Sequence, residues 1–485
     1  MKKQRTLTQS LLFLFVLYWL TAAIFYVAAG DGIYRGRFST DMVDAKSVIP
    51  PIQAGNVLTQ KFVAETDTVD QVMLYGATYA RENTDILTVS ILNETGELLA
   101  SQKVETGTLS DNAEWPISFA PSLEDVKGQR LTLEIQSDHG SIDDGVTLYF
   151  GDSVSTARAD VQLPLEQDQL LHVDGQPIAG SLCLSITGTN TYLMGSVYWY
   201  AVALGGLLLL GYGMWMLRCE KTKRHSMGLH LIVAFKKYRF LLSQLVSRDF
   251  KTKYKRSILG VFWSFLNPLL TMMVQYIVFS TLFKSSIANF PVYLLTGIIV
   301  FSYFNEVSNM SLTSITGNSS LITKVYVPKY IYPVSRALSS SINLMLSLIP
   351  LLLVLLITRT PITKAFLLLP FAIVCVFLLS LGIGLLLASL MVFFRDTQFL
   401  WGVISMVWMY ATPIFYPESI IPGKFLLLYK MNPLYHIIRI FRIILINGVS
   451  PEPKAYLLCL IAAVIPFLLG AIVFKKTQDR FVLNL

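Results

Sequence analysis

Residues Leu193–Leu217 read LMGSVYWYAVALGGLLLLGYGMWML, a run of 25 residues without a charged side chain. About 20 apolar residues are enough to cross the hydrocarbon core of a bilayer. The run is followed at once by four basic residues, Arg218, Lys221, Lys223 and Arg224. Because Lys and Arg are enriched in cytoplasmic loops, the run predicts a transmembrane helix whose carboxyl end is cytoplasmic.

An earlier charge-free run, Leu11–Ala29, follows three basic residues near the amino terminus. It predicts another span, within residues 1–30, whose amino end is also cytoplasmic. A cleaved signal peptide is the alternative, because small residues lie at the end of the run, but the apolar region of such a peptide is usually only about 7–15 residues long. Together the two spans place the intervening segment outside the membrane.

Charge separates that segment from the rest of the chain. The 485 residues are 53% apolar and only 14% charged, which excludes a single soluble globule. Residues 31–192 contain 24 acidic and 9 basic side chains, a net charge of −15, whereas the whole chain carries +8. The sequence therefore predicts an acidic extracytoplasmic module at 31–192, between the spans 1–30 and 193–217.

Apolar and polar residues alternate in several stretches of this module, as they do in half-buried strands. The clearest stretches lie at residues 87–91, 115–119, 131–135 and 146–150. Turn sequences rich in Asn, Asp and Gly separate them. We therefore expect an all-β, jelly-roll-like sandwich of roughly eight strands.

The run from Gln60 to Trp115 loosely resembles jelly-roll carbohydrate-binding modules of bacterial envelope proteins, without a diagnostic motif. Sugar recognition in such modules uses aromatic faces, and the candidates here are Tyr75, Tyr79, Trp115 and Tyr149. The same side chains also suit a sandwich core or a strand surface. Asp and Asn clusters are explained by turns as well as by Ca²⁺ ligands, and no metal site is predicted.

Residues 218–257 predict a basic linker and an amphipathic helix at the inner membrane surface. The stretch Arg218–Arg256 holds twelve basic residues and two acids, with apolar residues interspersed. This composition is typical of interfacial helices that bind anionic lipid heads. A nucleic-acid partner is not expected between two membrane spans.

Residues 258–485 predict a helical core with six further spans. These lie at about Ile258–Phe283, Pro291–Ile315, Val334–Ile357, Ala365–Phe394, Phe399–Tyr416 and Tyr456–Phe474. The fold class is thus a multi-span α-helical membrane protein of about eight spans with an inserted all-β module. Alternation of the spans places both termini in the cytoplasm.

Residues 417–452 do not fit a span. Pro422, Pro433 and several basic residues interrupt the segment, yet it contains too many leucines and isoleucines for a free loop. We expect re-entrant or external helices buried against the protein, because broken backbone at membrane depth is tolerated only in that context.

Motifs of catalytic sites are absent from the sequence. It contains no G-x-x-x-x-G-K-[ST] phosphate loop, no H-E-x-x-H and no G-x-S-x-G. The four cysteines have neither a disulfide framework nor zinc spacing. Glu306 is the only acid well inside the apolar runs of the second half. We expect a chain that is not an enzyme and binds no cofactor of its own.

Four stretches of the second half occur in the order found in a known family. They are RDFKTKYKRSILGVFW at Arg248–Trp263, LITKVYVP at Leu321–Pro328, FFRD at Phe393–Asp396, and TPIFY at Thr412–Tyr416 followed by Asn432-Pro433-Leu434. With these stretches, residues 235–485 closely resemble the permease of ABC exporters of polysaccharides, O-antigens and teichoic acids. The first half departs from that family, whose usual permease has six spans.

The resemblance implies a homodimer of permeases with two copies of a separate ABC ATPase, which binds ATP and Mg²⁺. The implied cargo is a polyprenyl-linked glycan, moved outward across the bacterial cytoplasmic membrane. The implied ATPase-coupling segment contains Leu321, Lys324, Val325, Tyr326, Pro328 and Lys329. An ordinary positive-inside loop is the alternative for this segment.

Further candidate sites follow from the chemistry of such a cargo. Carrier phosphates attract cations, and the candidates for lipid-head binding are Arg248, Lys251, Lys253, Tyr254, Lys255 and Arg256. Candidates for a gate or partner contact are Arg395 and Asp396. Aromatic candidates for a glycan conduit are Tyr276, Phe301, Tyr303, Phe304, Trp408, Tyr410, Phe415 and Tyr416. Membrane anchoring explains the basic residues equally well, and lipid interfaces the aromatic ones.

We therefore expect the permease subunit of an ATP-driven exporter of a lipid-linked cell-envelope polysaccharide, embedded among membrane lipids. A membrane-anchored glycan receptor or assembly scaffold without transport is the alternative. An integral glycosyltransferase is disfavoured, because no cluster of acids lies within the predicted spans.

Overall fold

The computed structural model describes residues 2–40, 42–43, 45–81, 83–152, 170–222, 227–255, 258–283, 289–324, 327–418 and 423–484. The chain divides into two compact units. The first, the β-module, consists chiefly of Tyr34–Leu193, and the second, the helical unit, of Met1–Ile33, Met194–Ile421 and Phe425–Leu485. Each unit has its own hydrophobic core.

The β-module contains two antiparallel sheets around one core. Its strands are β1 (Arg35–Ser39), β2 (Ser47–Val48), β3 (Val57–Val63), β4 (Thr68–Ala77), β5 (Ile86–Leu92), β6 (Leu98–Glu105), β7 (Ala113–Glu124), β8 (Arg130–Ser137), β9 (Thr147–Gly151), β10 (Leu171–Val173), β11 (Gln176–Ile178), β12 (Ser181–Leu182) and β13 (Leu184–Thr191). One sheet has the order β1-β13-β4-β9-β12, with β2 on β9 and β7 on β4; the other has the order β11-β10-β3-β8-β5-β6.

The predicted β-sandwich is confirmed, with more strands than the roughly eight expected. The additional strands are only two or three residues long, which is too short for a period-two pattern to reveal them. The long strands follow the predicted alternation, since Leu87, Val89 and Ile91 of β5 are all fully buried. Trp115 belongs to the same core and packs over Gly76, where a Cβ would lie 2.2 Å from its ring.

The two ends of the β-module are held together. Arg35 in β1 pairs with Thr191 in β13. The Asp67 carboxylate accepts hydrogen bonds of 2.6 Å from both the hydroxyl and the backbone N–H of Thr191. These bonds, assisted by the Lys127 ammonium, lower the pKa of Asp67 to about 2. Asp67 therefore stays ionised, and it secures the end of β13, at neutral pH.

The helices of the described residues are α1 (Lys2–Ala29), α2 (Leu193–Lys221), α3 (Met227–Tyr254), α4 (Phe262–Phe283), α5 (Phe290–Leu312), α6 (Ser319–Ile322), α7 (Ile331–Ile357), α8 (Leu369–Phe393), α9 (Thr397–Tyr410), α10 (Gly423–Lys430), α11 (Pro433–Arg442), α12 (Pro453–Thr477) and α13 (Phe481–Asn484). Within the described part of the chain, 7 helices are long and apolar enough to cross a membrane. They contain α1, α2, α4, α5, α7, α8 and α12.

The structure differs from the prediction at residues 399–416, where a full span was expected. Helix α9 has 14 residues, which at 1.5 Å per residue gives about 21 Å, short of the roughly 30 Å hydrocarbon core. It ends at Tyr410 because Pro413 cannot continue a helix and disfavours the α conformation in the residue before it.

The interrupted segment after α9 is buried, as a free loop would not be. Helix α11 continues into a π-helical turn at Ile443–Asn447. Eight of its apolar side chains are at most 2% exposed, namely Leu434, Tyr435, Ile437, Ile438, Ile440, Phe441, Ile444 and Leu445. Helix α10 differs, since Leu427 and Leu428 are 74% and 67% exposed. The position of both helices relative to a membrane stays a prediction.

Helices α1 and α2 form an antiparallel pair. The Tyr18 hydroxyl donates to the Val202 backbone oxygen at 2.9 Å, and the Tyr198 hydroxyl donates to that of Ala22 at 2.7 Å. Near the end of α1, the Phe25 ring lies 5.2 Å from that of Tyr456 at the start of α12. The first span is therefore packed against the helical core.

Helices α8 and α12 run parallel and touch along their length. The Phe371 and Tyr456 rings meet near their amino ends, 5.3 Å apart. In the middle, Gly382 and Gly470 let the two backbones approach, since a Cβ on Gly470 would lie 2.0 Å from the Gly382 oxygen. At the carboxyl end of α8, Phe393 meets Phe481 beyond α12 at 6.0 Å.

The same contacts define two ends of the helical unit. The carboxyl ends of α8 and α12 lie beside the start of α7, because Lys329 Nζ donates to the Gln478 backbone oxygen at 2.5 Å. We call this the basic end, because several basic side chains lie there, namely Lys329, Arg336, Arg395, Lys475 and Lys476. The opposite end contains the starts of α8 and α12.

Candidate functional site

A buried carboxylate connects α3 to α7 at the basic end. The Asp249 side chain is 3% exposed. One of its oxygens lies 2.8 Å from Arg336 Nη1, and the other accepts hydrogen bonds of 3.2 Å from the Arg248 guanidinium. A carboxylate at this depth is stable only when it is paired. Asp249 therefore fixes the end of α3 against the start of α7.

One turn further along α3, Lys253 forms a second link to the spans. Its ammonium donates to Glu306 Oε1 of α5 at 2.8 Å, and Asn343 of α7 donates to the same oxygen at 2.7 Å. The Tyr254 hydroxyl donates to Asn343 Oδ1 at 2.9 Å and also hydrogen-bonds with Ser264 of α4. Glu306, the acid isolated in the sequence, thus anchors a network that joins four helices.

These contacts divide the residues predicted to bind lipid heads. Tyr254 is half-buried and its hydroxyl bonds to protein groups, so the prediction is corrected for this residue. Lys253 is 43% exposed but already paired with Glu306. Lys251 and Lys255 are exposed and stay candidates, whereas Arg256 lies outside the described residues. Arg248 is treated below.

The predicted coupling segment also lies at the basic end. It follows a 3₁₀ turn at Thr316–Asn318, and Leu321 lies within the short α6. Lys324 is exposed, whereas Pro328 and Lys329 are half-buried, with the Lys329 ammonium 5.8 Å from the Phe481 ring centroid. Val325 and Tyr326 lie outside the described residues. Lys324 is thus the cation of this segment best placed to meet a partner.

Pro333 is compatible with the helix that contains it. It lies in the first turn of α7, where its missing N–H has no partner to lose. Arg395 and Asp396 are exposed at the turn between α8 and α9. Their role as a gate or partner contact stays a prediction.

Asn432 joins the end of α9 to the start of α11. Its Oδ1 accepts from Trp408 Nε1 at 2.9 Å and from the backbone N–H of Leu434 at 3.1 Å. Its Nδ2 donates to the Thr412 hydroxyl at 2.8 Å. Asn before Pro433 is thus a helix cap followed by proline in the first turn. The Asn-Pro-Leu motif therefore holds the broken segment together.

Arg442 supplies the donors that this break requires. It is 9% exposed, and its guanidinium donates to the backbone oxygens of Pro413 at 2.7 Å and Ile414 at 3.1 Å. A longer bond of 3.4 Å reaches the Tyr293 oxygen, and the guanidinium lies 3.3 Å from the Tyr293 ring centroid. The backbone oxygens of Pro413 and Ile414, which lie beyond the end of α9, therefore find donors inside the core.

Sequence reasoning missed the roles of Arg336, Asn343 and Arg442, because each depends on a partner far along the chain. One signal was available for Arg442. It is a single cation between Ile440, Phe441 and Ile443, and a charge in such an apolar setting has to be paired or hydrogen-bonded. Arg336 had no comparable signal.

The aromatic conduit candidates divide by exposure. Four belong to the core of a single chain and are at most 6% exposed, so the prediction is corrected for Phe301, Tyr303, Phe304 and Phe415. Trp408 is half-buried on Asn432, and the Tyr416 hydroxyl donates to the Tyr410 oxygen at 2.7 Å. Tyr276 and Tyr410 are 40% and 59% exposed. Tyr276 and Tyr410, which are exposed, and Trp408 and Tyr416, which are half-buried, stay candidates.

The sugar-stacking candidates of the β-module divide in the same way. Trp115 is 2% exposed and its Nε1 donates to the Ser110 oxygen at 2.9 Å, so the prediction is corrected for this residue. Tyr75 and Tyr149 are half-buried neighbours with ring centroids 4.8 Å apart. Tyr79 is 44% exposed and lies 4.9 Å from the Arg81 guanidinium. These three tyrosines stay candidates.

Comparison with known proteins finds a family and several relatives that match up to about half of the chain. A family model described as ABC-2 type transporter matches residues 241–446. The O-antigen export system permease protein RfbA of Klebsiella pneumoniae is 29% identical over 243 residues, which cover 50% of this chain and 93% of that protein. RfbA of Myxococcus xanthus is 28% identical over 257 residues, which cover 52% and 98%.

A polysialic acid transport protein is similar over a comparable length. The polysialic acid transport protein KpsM of Escherichia coli is 23% identical over 249 residues, which cover 50% of this chain and 96% of that protein. The resemblance to polysaccharide exporter permeases is confirmed. With its long apolar helices, the chain is a multi-pass membrane protein.

Proposed function

Residues 241–446 of this chain belong to the ABC-2 type transporter family, and from that premise we propose that the chain is the permease subunit of an ATP-driven exporter. Its cargo is a lipid-linked cell-envelope polysaccharide of the O-antigen, capsule or teichoic acid type. The names of the relatives, for O-antigen export and polysialic acid transport, support a polysaccharide cargo.

One observation carries the proposal, the attachment of α3 to the spans at the basic end. Asp249–Arg336 and Lys253–Glu306 link α3 to α7 and α5. Since the short α6 lies between α5 and α7 in the chain, a soluble partner that moves α3 or α6 displaces membrane helices. Because the sequence has no phosphate loop, we assign ATP and Mg²⁺ to a separate ATPase.

We propose an assembly of two permease copies and two ATPase copies in the bacterial cytoplasmic membrane. The two RfbA relatives are covered over 93% and 98% of their length by about half of this chain, and the family model matches residues 241–446, which supports residues 241–485 as the transport core. The basic end faces the cytoplasm, in agreement with the enrichment of Lys and Arg in cytoplasmic loops. Both termini are then cytoplasmic and the β-module is outside.

Export is expected to fall by at least about tenfold in Lys324→Glu, because reversing a charge at a partner interface costs several kcal/mol. The measurement is surface polysaccharide in a deletion strain that carries the variant, together with co-purification of the ATPase. Lys364→Glu is the matched control, since Lys364 is also exposed but lies near the start of α8 at the opposite end. Normal export in Lys324→Glu would contradict the coupling role.

Topology is tested by labelling Glu94→Cys in intact cells with a membrane-impermeant maleimide. Glu94 is exposed at the β5–β6 turn, and the four native cysteines are buried, so the background is low. We expect Glu94→Cys to react in intact cells and Lys324→Cys only after lysis. The reverse pattern would overturn the proposed orientation.

For the β-module we propose weak binding of the exported glycan. The neighbouring rings of Tyr75 and Tyr149 support this, because Tyr149 is also fixed by a 2.6 Å hydrogen bond to Asn112 Oδ1. The alternative function is a glycan receptor or assembly scaffold without transport. Co-purification of an ATPase in fixed ratio with the full chain separates the two, since a scaffold requires none.

A further inference from the structure

A polar cavity of about 570 Å³ lies at the basic end. It is bordered by α3, the end of α5, the turn before α6 and the start of α7. Arg248, Lys253 and Arg336 are its cations, and Asp249 and Glu306 are its acids. Charged side chains from three separate helices therefore converge on one space.

The three cations share two carboxylates. Arg248 and Arg336 both pair with Asp249, at 3.2 Å and 2.8 Å, while Lys253 pairs with Glu306 at 2.8 Å. One cation per carboxylate would be enough to hold the helices together. One positive charge therefore remains in excess, and this charge attracts an anion.

Unused hydrogen-bond donors accompany this charge. The side chains of Arg248 and Lys253 are 48% and 43% exposed, and a guanidinium and an ammonium have five and three N–H groups, more than these ion pairs occupy. Thr252 contributes a hydroxyl to the lining. At Gly317 nothing lies within 4 Å of the position of a Cβ, so a ligand has room to approach the backbone.

Phosphate is the anion that best fits these donors. A guanidinium binds phosphate oxygens bidentately and an ammonium binds them as a point charge. Among the described residues that line the cavity there is no aromatic ring on which a nucleobase would stack. We propose that the cavity binds a phosphate or diphosphate group without a base, through Arg248 and Lys253. Arg336 acts as a positioning residue that neutralises Asp249.

The inference rests on the proposed function only for the identity of the natural ligand. In an exporter of lipid-linked glycans, the cavity receives the phosphate-bearing head of the carrier lipid at the cytoplasmic surface. A free phosphate or diphosphate in the cytoplasm presents the same chemistry. The experiment therefore uses one probe of each kind.

Binding is measured on the purified full-length chain in nanodiscs of zwitterionic lipid at constant ionic strength. The probes are inorganic pyrophosphate and farnesyl diphosphate. Arg248→Gln removes one guanidinium but leaves Asp249 paired with Arg336, so the fold is retained. We expect this variant to weaken binding by at least about tenfold. Arg239→Gln, also on an exposed position of α3 but outside the cavity, is the control and is expected to change it by less than about twofold.

Selective loss of binding in Arg248→Gln supports the cavity. Tighter binding of farnesyl diphosphate then assigns it to a lipid head, and equal affinities assign it to a free phosphate. Equal losses in Arg239→Gln, which indicate general surface attraction, or no binding of either probe, overturn the proposal. If neither probe binds but export still depends on Lys324, the proposed phosphate site is wrong and the proposed exporter function stands. If both probes bind but no export occurs, the proposed exporter function is wrong and the phosphate site stands.

Discussion

Arg442→Met is expected to lower the free energy of unfolding of the helical unit by about 3 kcal/mol or more. The substitution keeps an unbranched apolar side chain but removes the donors to the oxygens of Pro413, Ile414 and Tyr293. A buried carbonyl without a donor costs about 1–3 kcal/mol. The measurement is thermal unfolding of the full chain in detergent, followed by tryptophan fluorescence.

The matched control is Arg439→Met. Arg439 lies one turn earlier in α11, but its side chain is exposed, so we expect a change within about 0.5 kcal/mol. Arg442→Lys should lie between the two, because a lysine retains the charge but lacks the planar fork that reaches several oxygens. An unfolding temperature of Arg442→Met equal to that of the wild type would show that the break after α9 does not need these donors.

Gly470→Ala is expected to destabilise the chain by about 3 kcal/mol or more, at the upper end of overpacking effects. A single added methyl at this position meets the backbone of Gly382, with the oxygen at 2.0 Å and the carbonyl carbon at 2.8 Å. Backbone atoms cannot rotate away, so α8 and α12 have to separate. The expected readout is loss of monodisperse protein in size-exclusion chromatography.

Gly402→Ala provides the comparison. Gly402 also lies within a helix, α9, but nothing is within 4 Å of its Cβ position. Since alanine is the better helix former by about 1 kcal/mol, this variant should be as stable as the wild type or more stable. Similar elution profiles for both variants would contradict the close contact of α8 and α12.

The spans that the sequence predicted well are those whose ends carry charges or prolines. Leu193–Leu217 is bounded by basic residues at its carboxyl end, and α2 extends over it. Residues 399–416 were equally apolar, but the length of this apolar run did not predict that the helix ends at Tyr410. The missing information was conformational, because Thr412-Pro413 interrupts a helix without changing the hydropathy of the segment.

Burial of Trp115 was contained in the sequence pattern. Trp115, Ile117 and Phe119 occupy alternate positions, and alternate side chains of a strand point to one face. Once Ile117 and Phe119 are assigned to the core, Trp115 follows them inward, as the structure shows. Its assignment to sugar stacking considered the residue type without this register.

The charged cluster was only partly predictable. The basic residues of α3 were recognisable by their density, and Glu306 by its isolation. Their pairing was not, because Asp249–Arg336 and Lys253–Glu306 join positions far apart in the chain. The packing of α3 on α5 and α7 decides that Lys253, and not another lysine of α3, pairs with Glu306.

The first and last strands of the β-module are paired at its two chain ends, where Arg35 lies opposite Thr191. This pairing makes the module an insertion that another domain can replace. Its entry and exit strands leave side by side, so a long insertion costs hardly more loop-closure entropy than a short turn would. The antiparallel contacts of α1 and α2 are likewise independent of what connects them. A lineage could therefore exchange this β-module between Gly30 and Leu193 without redesigning the helical unit.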